Sequence, residues 1–222
     1  MSDLSRRLAV RALSLGVVLD DGQVSLLEGY LELLARWNAT INLTALPLEG
    51  FPDATLDRLI GEPLMASRFL PAARSRVGAE EGQRGFSMAD LGSGGGSPAL
   101  PLKIIRPDLQ LTMIESRDRK SAFLRQAIRT LELLDATAIT GRLEESDTVN
   151  IDIITVRAVT GNEVLATAVR KMLALDGRVL VFGSAQPRLS GMKIEVEAPL
   201  IYAGDRLFVL TRSTWNISGL PG

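Results

Sequence analysis

The run Ala89-Asp90-Leu91-Gly92-Ser93-Gly94-Gly95-Gly96-Ser97-Pro98 has the composition of a ligand-binding turn. It leaves an apolar segment through an acid, places four glycines within five residues and enters a segment of helical pattern. Glycines at a strand-to-helix junction supply positive φ angles and let backbone approach a small charged ligand closely. The next apolar segment ends in Glu115, 23 residues after Gly92 (115 − 92). An acid roughly 20 residues beyond such a turn can accept hydrogen bonds from both hydroxyls of a ribose. Asp90, Gly92, Gly94, Gly96 and Glu115 therefore read together as an adenosine-ribose site. Glycines also occur in strand-to-helix turns that bind nothing, so the reading rests on the pairing with Glu115.

Two nucleoside cofactors fit that description. A nicotinamide dinucleotide fingerprint would place its third glycine where this chain has Ser97, and the prolines at 98 and 101 are unusual in such a motif. The pattern therefore favours S-adenosylmethionine and a methyltransferase over a dehydrogenase. Leu143 and Glu144, in the loop after a third strand, can face an adenine ring; the alternative is a solvated loop at a strand end. Arg157 follows the apolar run Ile151 to Val156, at the carboxyl edge where open α/β sheets bind ligands, and an arginine there can pair with a carboxylate or phosphate.

The elements needed to position these residues are legible in the apolar spacing. Apolar residues recur at three and four from Leu4 to Trp37, with a break near Gly16 to Gly22, and again from Thr55 to Leu70. An all-helical region over 1–72 follows. Residues 73–85 are rich in glycine and charge and read as a linker. Beyond them, 86–222, short apolar runs at Phe86 to Leu91, Leu109 to Glu115, Ala136 to Thr140, Ile151 to Val156 and Arg178 to Phe182 alternate with helical segments. That alternation predicts a doubly wound α/β sheet, Rossmann-like. Lys193 to Leu200 and Arg206 to Arg212 are too close for a crossover helix and predict an antiparallel hairpin at the C-terminal end. A parallel sheet finished by such a hairpin resembles the class I methyltransferase architecture.

Composition narrows the chemistry. The 222 residues are 46% hydrophobic and 23% charged, as in ordinary globular proteins. They contain neither cysteine nor histidine, which removes disulfides, thiolate nucleophiles, imidazole bases and most metal sites, and suits a reducing, cytoplasmic setting. The apolar stretch from Ala12 to Leu19 is too short to span a bilayer and lacks a cleavage site, so an amphipathic surface helix is expected there and no membrane association. With a net charge of −1, any RNA contact must come from a local patch. Arg58, Arg119, Lys120 and Arg125 are the leading candidates, with Arg6, Arg7, Arg11, Arg36 and Arg117 behind them. The alternative for each is a salt-bridged, solvated helix face. Trp37 ends an apolar stripe and is expected in the core, with Asn38 and Asn42 capping the helix end.

Several of these segments together resemble the RsmG/GidB family of bacterial 16S rRNA guanine-N7 methyltransferases. Trp37-Asn38-Ala39-Thr40-Ile41-Asn42-Leu43-Thr44 is similar to the family's W-N-x-x-x-N-L-T signature. Asp90 to Pro98 with Pro101-Leu102 is similar to D-x-G-[ST]-G-x-G-x-P-x-x-P-L. Glu115-Ser116 with Arg119-Lys120 and Phe123 to Arg125, Gly141 to Glu144, and Val156-Arg157-Ala158 follow in order. The resemblance implies cofactor contacts from Gly92, Ser97, Leu143, Glu144 and Arg157, with Glu115 at the ribose, and N7 of one guanosine in 16S rRNA of the small ribosomal subunit as target. Two segments depart from it. Where the family has R-H-[IL]-x-D-S this chain has Asp57-Arg58-Leu59-Ile60-Gly61-Glu62, and where it has lysine-glycine after the fifth strand this chain has Phe182-Gly183.

Guanine N7 bears a lone pair and no proton, so its methylation requires no general base, and a chain without histidine or cysteine can catalyse it by positioning. The expectation is a monomeric, metal-independent enzyme. The competing readings are a methyltransferase for another RNA or a small molecule, and a noncatalytic RNA-binding protein that keeps the fold.

Overall fold

The computed structural model describes residues 1–72, 85–157, 163–202 and 204–213. All but Gly85 of the expected linker lies outside the described residues, as does Ala158.

The N-terminal helices begin as their sequences dictate. Ser2 accepts a hydrogen bond from the Ser5 N–H at 2.9 Å and starts α1, Asp3–Ser14. Asp20 and Gln23 form a reciprocal capping box that starts α2, Asp21–Asn38. The third helical stretch is composite: α3 (Asp53–Leu56), a π turn (Asp57–Gly61), α4 (Glu62–Ala66) and a 3₁₀ turn (Ser67–Phe69). The π turn is a wider coil of the kind often found at functional sites.

The sheet has seven strands: β1 (Ser87–Leu91), β2 (Gln110–Glu115), β3 (Ala136–Thr140), β4 (Ile151–Arg157), β5 (Leu173–Gly183), β6 (Met192–Pro199) and β7 (Arg206–Arg212). Their order is β3-β2-β1-β4-β5-β7-β6, with β7 antiparallel to both β5 and β6 and the other pairings parallel. The doubly wound sheet and terminal hairpin are thus present as expected. The fifth strand starts five residues before the expected Arg178, because Ile151 already pairs with Leu173 across a bulge.

Crossover helices α5 (Ala99–Ile105) and α6 (Asp118–Thr130) lie on one face, and α7 (Glu163–Met172) on the other. The buried side chains of α1 to α4 join those of α5 and α6 in one continuous core with Met88, Met113, Ile153 and Leu180 of the sheet. The N-terminal helices are therefore built onto the same face that carries α5, and this brings α2 to the glycine turn. Trp37 packs edge-on against Phe123, centroids 5.9 Å apart, as a core residue.

Candidate functional site

The turn after β1 runs through Gly92, Gly94 and Gly96 at φ of 76°, 49° and 85°, all in the left-handed region. A Cβ at Gly96 would collide with the Leu100 side chain, and one at Gly95 would come within 3.3 Å of Leu34 Cδ1. The loop is tied from behind. The Gly92 and Ser93 N–H groups donate to the Ile114 carbonyl at 2.9 and 3.2 Å, and the Tyr30 hydroxyl of α2 donates to the Gly95 carbonyl at 2.8 Å. Burial pushes the Tyr30 phenol far above its ordinary pKa, so it stays a donor. Ser97 Oγ donates to the Leu59 carbonyl of the π turn at 2.8 Å.

Glu115 braces the same loop, accepting from the Gly94 N–H and the Arg117 N–H, each at 2.9 Å. Asp90, 2% exposed, accepts from Thr155 Oγ1 at 2.5 Å. Burial pushes its carboxyl up to about 6, against the opposing hydrogen bonds from Thr155 and Ser93 and the charge of Arg157.

Arg157 ends β4 and points back to the N-terminal helices. Its Nη1 donates to the Arg58 carbonyl at 2.7 Å, and its Nη2 lies 3.0 Å from Glu62 Oε2, an ion pair outside hydrogen-bond geometry. Nε is buried with no partner among the described residues. The guanidinium sits 4.6 Å from the Phe182 ring centroid. Burial lowers its pKa to about 10, partly offset by the Glu62 carboxylate.

These groups surround a cavity of about 570 Å³ at the carboxyl ends of β1 and β4, the topological switch point of the sheet. Of the residues singled out in the sequence, Asp90, Gly92, Gly94, Ser97, Arg157, Arg58 and Lys120 line it. Gly96 and Glu115 shape the glycine loop and are not among the lining residues. Leu143 packs into the core on the α7 side, within the 3₁₀ turn Leu143–Glu145 that also holds Glu144. Arg119 and Lys120 line an adjoining hollow with Arg117 and Thr40 to Asn42, and Lys120 borders both spaces. Arg125 donates to Ser121 and Thr140 hydroxyls at 3.0 and 2.8 Å. Arg58 is pulled inward, ion-paired with Glu62 at 3.1 Å and with Asp205. Arg7 and Arg11 are held by Asp53 and Asp57 and by carbonyls of the 50–53 segment, and Arg6 by Asp3.

Sequence reasoning missed the apolar walls. Leu34, Leu43, Leu46 and Leu59 line the cavity, as does Tyr202 from the β6–β7 turn. One signal was available: Asn38 Oδ1 accepts from the Leu43 and Thr44 N–H groups at 2.8 and 3.0 Å, so the signature run folds the 43–46 segment over the glycine turn. Asn38 thus ties the end of α2 to the site.

A parallel sheet with this switch-point cavity, closed by an antiparallel hairpin, defines the Rossmann-like class I methyltransferase fold. Solved structures similar to it include MtNAS in complex with MTA and tNA, at a TM-score of 0.56 and 13% identity over 82% of this chain and 71% of that one. Another is the mitomycin 7-O-methyltransferase MmcR, at a TM-score of 0.52 and 18% identity over 83% and 67%. Both likenesses are of fold. The chain belongs to the GidB family, rRNA small subunit methyltransferase G, whose sequence model matches residues 23–190. Among its relatives, the ribosomal RNA small subunit methyltransferase G of Halorhodospira halophila is 34% identical over 183 residues, 82% of this chain and 77% of the relative. Among the described residues no helix is long and apolar enough to cross a membrane, and no acidic cluster is placed to hold a metal ion.

Proposed function

We propose that this chain transfers a methyl group from S-adenosylmethionine to N7 of a guanosine in 16S rRNA of the small ribosomal subunit, acting as a cytoplasmic monomer. The observation that carries the reading is the switch-point cavity. One chain supplies a glycine cradle, a buried acid and a buried arginine with an unpartnered Nε, in a member of the rRNA small subunit methyltransferase G family. At about 570 Å³ the cavity lies within the range of small-molecule and cofactor sites.

Asp90, Gly92, Gly94, Ser97 and Arg157, which line the cavity, would hold the methyl donor, with Gly96 shaping the turn, Glu115 beside it for the ribose, and Leu143 and Glu144 in the loop after β3 for the adenine. The backbone at Gly92 to Gly95 allows close approach, and Glu115, already fixed by two N–H groups, keeps lone pairs for ribose hydroxyls. Arg157 presents its free Nε to an anionic group. The donor supplies a methyl group activated on a sulfonium sulfur. The chain's own contribution is to orient the partners and exclude water: Leu34, Leu43, Leu46 and Leu59 make the walls apolar, and no residue needs to remove a proton from N7. Arg119 and Lys120, in the adjoining hollow, would take backbone phosphates, with Arg125 on the same helix, whereas Arg58, turned inward between Glu62 and Asp205, belongs to the cavity wall.

The test is transfer of radiolabelled methyl from S-adenosylmethionine to 30S subunits lacking N7-methylguanosine, beside an Arg157→Ala control. Label at a guanine N7, lost in the control, is the expected result. Cofactor binding without incorporation would refute the rRNA target, and label on another base or on small molecules would replace it.

A further inference from the structure

The two segments in which this chain departs from the family pattern, far apart in sequence, meet at the Arg157 side chain. Glu62 is fully buried, a position a carboxylate occupies at high desolvation cost unless it is paired. Its Oε2 lies 3.0 Å from Arg157 Nη2 and 3.1 Å from Arg58 Nη1, so a single carboxylate separates two guanidinium groups. Phe182 lies beneath Arg157, its ring centroid 4.6 Å from the guanidinium carbon. Arg58 is anchored on its far side by Asp205 and by Tyr202, 5.3 Å from the ring centroid, both from the β6–β7 turn. Gly61 admits that turn: a Cβ there would stand 2.7 Å from Ile201 Cδ1.

From this convergence we propose that Glu62 and Phe182 are positioning residues for Arg157, holding its guanidinium toward the cofactor cavity against repulsion from Arg58. The inference rests on the cofactor-binding reading given above. Apart from these two residues, the Arg157 guanidinium is held among the described residues by the Arg58 carbonyl, which accepts from Nη1. Without the Glu62 charge, the cation of Arg58 would push Arg157 out of register, whereas the aromatic face supports the plane of the guanidinium and the carboxylate charge offsets the repulsion.

The experiment is a double-mutant cycle on S-adenosylhomocysteine binding, read by titration calorimetry on the full chain, with methyl transfer to 30S subunits as second readout. Glu62→Gln should weaken binding about tenfold, the usual worth of a buried charge-assisted contact. Phe182→Leu, which keeps an apolar side chain and so provides a second variant should Glu62→Gln fail to fold, should weaken it about threefold. In an Arg157→Ala background both should change affinity less than about twofold, because they act through Arg157. A purely structural role would give the same loss with or without Arg157. That result, or wild-type affinity in both single variants, overturns the inference while leaving the functional reading intact. Wild-type protein that binds no S-adenosylhomocysteine would remove both.

Discussion

Asp90→Asn is expected to stabilise the protein at neutral pH. The carboxyl is buried, and burial raises its pKa from 3.8 to about 6 even with the Thr155 hydroxyl bonded to it. The folded state therefore binds this proton more tightly than the unfolded chain does. The contribution to stability is greatest below pH 3.8, falls as pH rises toward 6 and is lost above it. At about 1.4 kcal/mol per tenfold change in proton affinity, the displacement corresponds to about 3 kcal/mol. Asparagine can still accept from Thr155 and carries no charge. The stability difference between Asp90→Asn and wild type should accordingly shift by about 3 kcal/mol in favour of the variant between about pH 3 and pH 8. Urea titrations at fixed pH values across that range measure it directly, and in this size class the shift amounts to about 6–12 °C in Tm. A difference that stays flat with pH would show that Asp90 is not ionised against a burial penalty. An acid that destabilises the fold when charged is retained where function uses it, so methyl transfer should fall in the same variant.

Gly96→Ala should destabilise by about 1–3 kcal/mol, since it puts a side chain at φ 85° and against Leu100, and thermal denaturation will show it; an unchanged Tm would contradict the loop geometry. Arg119→Ala with Lys120→Ala should weaken binding to rRNA and make the dependence of log affinity on log salt shallower, by about 0.7–0.9 for each phosphate that is no longer neutralised. Filter binding across salt concentrations measures the slope, and an unchanged slope would exclude these two residues from the RNA path.

The succession of strands up to β5 and the glycine turn were legible because each is written in local spacing: alternating elements, an acid at a strand end, glycines where φ must be positive. The cavity walls were not, because they are made by residues whose partners lie far away. The stripe containing Tyr30 and Leu34 predicts a buried helix face, yet nothing in its period says that the face meets Gly95. Arg58 illustrates the converse. Its sequence neighbourhood suggests a basic surface, and only the tertiary approach of Asp205 and the buried Glu62 turns it inward. The hairpin was readable as two adjacent strands, but its local pattern does not say which of them pairs with β5.

That pairing has a consequence for how the molecule assembles. β5 carries the apolar run Val179 to Phe182, and one side of that run is covered only when Leu207 to Leu210 of β7, about thirty residues later, arrive in antiparallel register. Until then a hydrophobic strand edge stands open, the arrangement most prone to pairing with another chain. The nascent protein thus holds its aggregation hazard and the support of Arg157, through Phe182, on one strand. Completion of the sheet at β7 closes the hazard and fixes the strand that carries Phe182 against Arg157 in a single event, so chains that stop short of residue 206 should be both insoluble and inactive.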